Sequence, residues 1–253
     1  MSGFVITGIN RVRKELERFD KKAAFAGAQM ANYLANKIRD AEKKEMQSVF
    51  KNPTPWTLNS TRVTYARKNS PQAVVWLKDE APKGTPATKY LAPQIFGGRR
   101  NIKRFELALQ HAGVMPTGWV STPGQGAKLD RYGNMSRGQI VQIMSWFQAH
   151  SAAGYTANTT AEGKRRRWRG TRKRRGYAYF AVNPQRPNEK TRHLQPGIYM
   201  RINTAFGSAI KPVLIFAPSA SYSKRYRFFG VAERTHKKHL DDAMRYGFKR
   251  AFG

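Results

Sequence analysis

Residues 9–50 read INRVRKELERFDKKAAFAGAQMANYLANKIRDAEKKEMQSVF, and their apolar positions recur every three or four residues. This spacing places one apolar stripe along an α-helix. Opposite charges one turn apart, such as Glu17 and Lys21, suit an exposed far face. We therefore expect one long helix whose stripe packs in the core, or between subunits. The stripe consists of Ile9, Val12, Leu16, Phe19, Ala23, Ala26, Met30, Leu34, Ile38 and Ala41.

Prolines set the end of this helix. Pro53 and Pro55 stop it, because proline lacks the amide that a helix needs and disfavours helix in the residue before it. Strand-forming residues follow at 56–65 and 72–78, with the turn-forming Lys68–Pro71 between them. This arrangement predicts a β-hairpin.

The rest of the chain predicts shorter elements. Phe4–Ile6 suggests a brief strand or an anchoring arm before the long helix. Ser136 is placed to cap a helix that begins at residue 137. The expected helices are 103–112, 137–149 and 232–251, the expected strands are 177–182, 197–202 and 213–216, and the expected loops are 79–88 and 118–126.

Together these elements predict an α+β fold. A long N-terminal helix and a C-terminal helix pack on a mostly antiparallel β-sheet. We treat residues 1–253 as a single domain, in which residues 80–176 form a central helix and loop insertion.

Charge is the strongest compositional signal. Lysine and arginine number 47 against 15 aspartates and glutamates, which gives a net formal charge of +32. Such a chain repels itself and attracts polyanions, of which nucleic acid is the first candidate. An acidic protein surface or anionic lipid would satisfy the same physics. Hydrophobic residues make up 40% and aromatic residues 12%, enough to bury a core.

Composition also excludes several classes of site. The chain has no cysteine, so it has no disulfide, thiolate zinc site or cysteine nucleophile. No apolar run approaches the roughly 18 residues of a membrane span. Residues 1–10 lack the basic-then-apolar order of a signal peptide, so we expect a soluble protein made in a cytoplasm.

The densest charge lies in residues 164–175, KRRRWRGTRKRR, where nine of twelve residues are cationic. We expect this tract to belong to a loop over 152–176 that is disordered alone in water. Arginines bind phosphates bidentately, and Trp168 could stack on a base or pack on protein. The candidate polyanion-binding residues are Lys164, Arg165, Arg166, Arg167, Trp168, Arg169, Arg172, Lys173, Arg174 and Arg175.

Residues for catalysis are sparse. The acidic pairs Asp79–Glu80 and Asp241–Asp242 do not suggest a two-metal nuclease, since one lies by a loop and the other diverges around a helix. His236 and His239 are three apart, but two lysines separate them and would repel a metal ion. We therefore expect no enzyme, no metal site and no cofactor.

One stretch resembles an RNA-binding motif. Residues 175–179, RGYAY, resemble the start of the aromatic strand motif of RNA-recognition domains. Phe180 and Val182 then reverse the order of aliphatic and aromatic residues that this motif requires. A nucleic-acid-binding module, for DNA or RNA, therefore remains as the alternative function.

Three longer stretches resemble a family of phage tail proteins. They are residues 50–60, FKNPTPWTLNS, residues 90–98, YLAPQIFGG, and residues 129–136, LDRYGNMS. Together with the long first helix and the closing helix, they resemble the minor tail protein Z, or tail-completion, group of long-tailed phages. The resemblance spans most of the chain, and its motifs are structural and carry no catalytic residues.

This resemblance implies a virion structural protein of the tail or neck, made in the host cytoplasm. It implies a homo-oligomeric ring about the tail axis, in which one surface patch meets a different patch on the next subunit. The implied partners are the tail terminator, tail tube or neck proteins, and genomic DNA in the tail channel, with no membrane. The basic loop would then contact DNA or acidic tail proteins.

Overall fold

The long helix expected from residues 9–50 is α1 (Ile9–Val49) in this computed structural model, which describes residues 9–82, 84–150 and 157–253, with side chains from Lys14 onward. The chain forms two units. The first unit comprises the described residues up to 97 together with 223–253, and the second comprises those of 98–222.

The first unit is mainly helical. Its elements are α1, α2 (Pro55–Leu58), β1 (Thr61–Thr64), β2 (Val74–Leu77), α3 (Ala87–Phe96) and α7 (Phe228–Phe252). Helices α1 and α7 pack along each other, and β1 pairs antiparallel with β2. The core of this unit consists of Met46, Leu77, Ala87, Leu91, Tyr226 and Phe228.

The second unit contains a four-stranded antiparallel sheet. Its elements are β3 (Gly98–Arg99), α4 (Arg104–His111), β4 (Val120–Pro123), α5 (Arg137–Trp146), α6 (Ala161–Arg169), β5 (Tyr177–Val182), β6 (Gly197–Thr204), β7 (Gly207–Ala217) and β8 (Ser221–Tyr222). The strand order is β4-β7-β6-β5, and β3 pairs separately with β8. Helices α4 and α5 bury Leu109, Ile143 and Trp146 against strand residues such as Ile198 and Val213.

The α+β prediction is therefore confirmed, and several of its elements are accurate. Strand β5 has the expected bounds. Helix α5 begins where predicted, because the Ser136 hydroxyl accepts a hydrogen bond from the Gln139 amide at 3.3 Å. The sequence interpretation treats 1–253 as one domain with an insertion at 80–176, whereas the second unit covers 98–222 and includes strands β5 to β8. The expected arm at Phe4–Ile6 lies outside the described residues.

Two local predictions are wrong. The strand expected from Trp56 begins as helix α2, because Thr54 caps the amide of Thr57 and Pro55 occupies the first helical position. The loop expected at 118–126 contains strand β4, which pairs with β7 from Val120 to Pro123. Pro123 ends this short strand, and the pairing is a tertiary feature that local sequence does not reveal.

The apolar stripe of α1 is buried only in part. Ala26 and Leu34 are buried, as predicted, but Leu16 is 60% exposed and Phe19 is 58% exposed. The Phe19 ring still touches Phe252 of α7, with ring centroids 5.6 Å apart. A charge at position 19 would consequently meet solvent, and the stripe does not bury Phe19 as expected.

Helices α1 and α7 approach closely at Gly247. A Cβ atom added there would lie 2.7 Å from the Ala26 carbonyl oxygen and would overlap the Met30 side chain. Glycine at this position therefore lets the two backbones come together. Gly27, on α1, has nothing within 4 Å of such a Cβ.

Replacing each glycine by alanine separates packing from helix propensity. We expect Gly247→Ala to lower the free energy of unfolding by about 1–3 kcal/mol, because the added methyl overpacks the contact. Gly27→Ala is the matched control and should raise it by about 0.5–1 kcal/mol, since alanine is the better helix former. Urea unfolding measures the free energy of unfolding of each variant. An equal change in the two variants would contradict the close approach of the helices at Gly247.

One carboxyl group is buried in the first unit. Glu42 of α1 is 0% exposed and lies near Tyr226, which is 1% exposed. Burial raises the pKa of Glu42 to about 8, while Tyr226 and Arg234 act in the opposite direction. Glu42 is therefore mainly protonated at neutral pH, which avoids the cost of a buried charge.

This carboxyl group makes stability depend on pH. The folded pKa of about 8 lies above the ordinary glutamate pKa of 4.5, so unfolding releases a proton between these two pH values. We expect the free energy of unfolding to fall as pH rises from about 5 to 8, and Glu42→Gln to remove at least about 2 kcal/mol of that fall. Urea titrations at several pH values measure it. Glu45→Gln is the control on the same helix, and an identical pH profile for wild type and Glu42→Gln would contradict the assignment.

Candidate polyanion-binding surface

The basic tract forms a helix followed by a tight turn, so the prediction of a loop over 152–176 is wrong from Ala161 onward. Thr160 caps helix α6, and its hydroxyl accepts a hydrogen bond from the Gly163 amide at 3.1 Å. Glu162 lies in the first turn and three arginines lie in the last turn, where each charge complements the helix dipole. Capping and dipole terms therefore oppose the self-repulsion that favoured disorder.

Two cations of α6 hold this helix against the rest of the second unit. The Arg167 guanidinium donates to the Thr159 hydroxyl at 2.6 Å, and Thr159 is itself 2.7 Å from the Ser145 hydroxyl of α5. The Lys164 ammonium lies 5.6 Å from the centroid of the Trp146 ring. Lys164 and Arg167 are half-buried, so these two residues position the helix.

A tight turn follows the helix. The Thr171 amide donates to the Arg174 carbonyl at 2.8 Å, and the Arg174 amide donates to the Thr171 carbonyl at 3.1 Å. Gly176 lies against the end of α6, and a Cβ added there would overlap the Trp168 carbonyl oxygen. This close approach fixes the turn, with its cations at 172–175, beside the last turn of α6.

The remaining cations of the tract point to solvent. Trp168 is half-buried, and no cation of the tract forms an ion pair with a carboxylate that the structure describes. We call the exposed set the basic helix–turn surface. It consists of Arg165, Arg166, Arg169, Arg172, Lys173, Arg174 and Arg175.

The second unit has few carboxylates to neutralise these cations. Residues 98–222 contain 21 lysines and arginines but four acidic residues, a net formal charge of +17. Of the four, Glu106 is fully buried, and Asp130 accepts hydrogen bonds from the amides of Tyr132 and Asn134. Two of the four carboxylates therefore serve local structure.

Glu106 forms the buried ion pair of this unit. Its carboxylate receives both terminal nitrogens of Arg100, at 2.6 and 2.9 Å. It also accepts from the Lys103 amide at 2.7 Å and from the Ser121 amide and hydroxyl, each at 2.8 Å. Burial alone would raise the pKa of Glu106, but these donors outweigh it and hold the pKa below its usual value.

The β6–β7 hairpin lies beside the basic turn. The Asn203 amide of β6 donates to the Gly176 carbonyl at 2.8 Å, directly after the cations of the turn. Beyond Asn203 the hairpin ends in Phe206, whose side chain is fully exposed (103%). Arg201 and Lys211, on the two strands, are exposed as well. Sequence reasoning missed this hairpin as part of the site, although residues 190–222 contain no acidic residue.

The aromatic residues at 177–179 do not form a base-stacking platform. Tyr179 is buried, and its carbonyl accepts a hydrogen bond from the Trp146 indole at 2.7 Å. The Tyr179 and Trp146 rings meet edge to face, with centroids 5.9 Å apart. Tyr177 packs against the same core. Both rings therefore face α5, which removes the basis for the resemblance to an RNA-recognition strand.

His236, His239 and the two acidic pairs lie apart from this surface in the chain. His239 is 3.5 Å from the Asp242 carboxylate on α7. Within residues 9–82, 84–150 and 157–253, no three side chains of His, Asp or Glu are grouped to hold a metal ion. Over the same ranges, no helix has the length and apolar character needed to cross a membrane.

Comparison with known proteins found no match to this chain among family models, curated proteins or solved structures. The geometry and charge of the molecule itself, together with the sequence resemblance, are therefore the features that bear on its function.

Replacing six of the seven exposed cations should weaken polyanion binding strongly without unfolding the protein. We expect a six-fold serine variant to keep its melting temperature within about 3 °C, because surface substitutions change stability little. Its affinity for heparin at moderate salt should fall by at least about a hundredfold, because a protein with fewer cations releases fewer counterions from heparin when it binds. The substituted residues are Arg165, Arg166, Arg172, Lys173, Arg174 and Arg175.

A matched control removes six exposed cations from the first unit, and it should bind heparin nearly as well as wild type. Equal losses in the two variants would mean that net charge, and not the basic helix–turn surface, determines binding. The control residues are Lys43, Lys44, Lys51, Arg62, Arg67 and Lys89.

Proposed function

We propose that this protein is a non-catalytic structural component of a phage tail or neck, which assembles around the tail axis and binds polyanion through the basic helix–turn surface. The observation that carries the proposal is the ordered placement of seven exposed cations on a capped helix and a closed turn. A chain that kept such a segment only for solubility would not need to hold it against the core through Arg167 and Lys164.

The α1–α7 pair supplies a surface for contact with neighbouring subunits. Four large apolar side chains are exposed there: Leu16 and Phe19 on α1, and Phe248 and Phe252 on α7. Phe252 touches both Phe19 and Phe248. Exposed apolar clusters of this kind are typical of sites of protein association. The Z-type tail resemblance of residues 50–60, 90–98 and 129–136 supports the same role.

An assembly protein and a nucleic-acid-binding module differ in their state of association. We expect mass photometry at physiological salt to show one discrete oligomer of the purified protein without DNA. Phe19→Asp should retain its melting temperature, because the ring is 58% exposed, and should dissociate this oligomer, because the charge enters an apolar contact.

Gln47→Asp is the control, since it places the same charge on an exposed position of α1 outside the apolar cluster. A wild-type monomer that binds duplex DNA tightly and with sequence preference would contradict the assembly role and favour the nucleic-acid-binding module.

A further inference from the structure

The end of the β6–β7 hairpin projects beyond the neighbouring strands. On the β5 side, hydrogen bonds to β6 reach only as far as Asn203, and on the β4 side, hydrogen bonds to β7 begin only at Pro212. The last pairs, up to Thr204 with Gly207, belong to the hairpin alone. Every residue from Ala205 to Lys211 is exposed.

Phe206 contributes nothing to the packing of this unit. Its side chain is 103% exposed, so none of its surface is removed from water by the fold. A phenylalanine buries about 150–250 Å² when it packs, and that gain is available only from another molecule. A single exposed apolar residue would be unremarkable by itself, so the argument depends on what surrounds it.

The hairpin tip and the basic helix–turn surface share one end of the sheet. The hydrogen bond from the Asn203 amide to the Gly176 carbonyl joins the hairpin to the residue that follows Arg175. Phe206 lies three residues beyond Asn203, a distance of about 10 Å along a strand. Residues 163–222 contain 14 lysines and arginines and one acidic residue, Glu189.

The partner of this end must combine dense negative charge with an apolar slot. Duplex DNA carries one negative charge per about 1.7 Å of helix axis, and this dense charge suits the seven exposed cations within residues 165–175. Its major groove admits a two-stranded ribbon, and apolar side chains of proteins that bind its minor groove insert between base steps. An acidic protein surface supplies carboxylates at lower density and no stack of bases.

We propose that the basic helix–turn surface binds the phosphates of duplex DNA while Phe206, at the tip of the hairpin, inserts into the base stack. The proposal deepens the proposed function and rests on it, because it names the polyanion as DNA and adds a residue that charge alone does not require.

Two probes separate insertion from charge. One is a duplex of 20 base pairs that contains 2-aminopurine, whose fluorescence rises when the base unstacks, and the other is heparin, which has charge but no bases. We expect Phe206→Ala to weaken duplex binding about tenfold, as loss of one stacked ring does, and to abolish the rise in fluorescence. Heparin affinity should stay unchanged, because every cation remains. Phe229→Ala, which truncates a ring on α7 that is 65% exposed and lies outside the apolar cluster, is the control and should match wild type with both probes.

The outcomes distinguish the two proposals. If Phe206→Ala binds the duplex and unstacks 2-aminopurine as wild type does, insertion is overturned, while the cation variant still tests polyanion binding separately. If wild type binds polyglutamate as tightly as the duplex at equal salt, the partner is an acidic protein and the assignment to DNA is overturned. If wild type binds neither heparin nor duplex, the proposed polyanion binding fails, and insertion fails with it.

Discussion

The buried pair of Arg100 and Glu106 organises the second unit. Its carboxylate joins the end of β3, the start of α4 and the first residues of β4 through five hydrogen bonds. A buried charge is tolerated only when its partners are this complete, and removing one partner costs about 3–5 kcal/mol. The pair therefore has to stay intact for α4 and β4 to keep their places beside the sheet.

Because the buried pair uses a carboxylate, fewer acidic groups are left to neutralise the cations on the surface of this unit. The second unit has four carboxylates, and the pair with Arg100 uses one of them while the turn at Asp130 uses another. Few acidic groups remain to neutralise the cations of α6 and the turn that follows it. The fold thus holds positive charge in fixed positions with its counter-charge left to another molecule, which is the physical basis of the proposed polyanion binding.

Local signals in the sequence predicted the elements that local energetics determine. The periodicity of residues 9–50 gave the length of α1, and the hydroxyl of Ser136 gave the start of α5. Phe19 shows the limit of periodicity, because a stripe tells which side chains share a face but not how far a packed partner covers that face. Strand β4 shows another limit, since a four-residue strand exists through its pairing with β7, far along the chain.

The candidate site was likewise predicted in part. The nine cations of the tract and Trp168 were identified from the sequence, but their ordered placement was not, because charge repulsion alone predicts a loop and takes no account of the cap at Thr160 or the contact between Arg167 and Thr159. The hairpin with Phe206 was missed because its position beside Gly176 depends on strand pairing. Sequence could mark residues 190–222 as free of acids, but it could not place them next to the tract.

Arginine footprinting shows whether duplex DNA binds at the basic helix–turn surface. The protein would be treated with phenylglyoxal, with and without a saturating duplex, and modified arginines located by mass spectrometry. We expect strong protection of Arg165, Arg166, Arg172, Arg174 and Arg175, with little change at Arg62 and Arg67 of the first unit. Protection confined to the first unit, with the tract as reactive as in the free protein, would contradict binding at this surface.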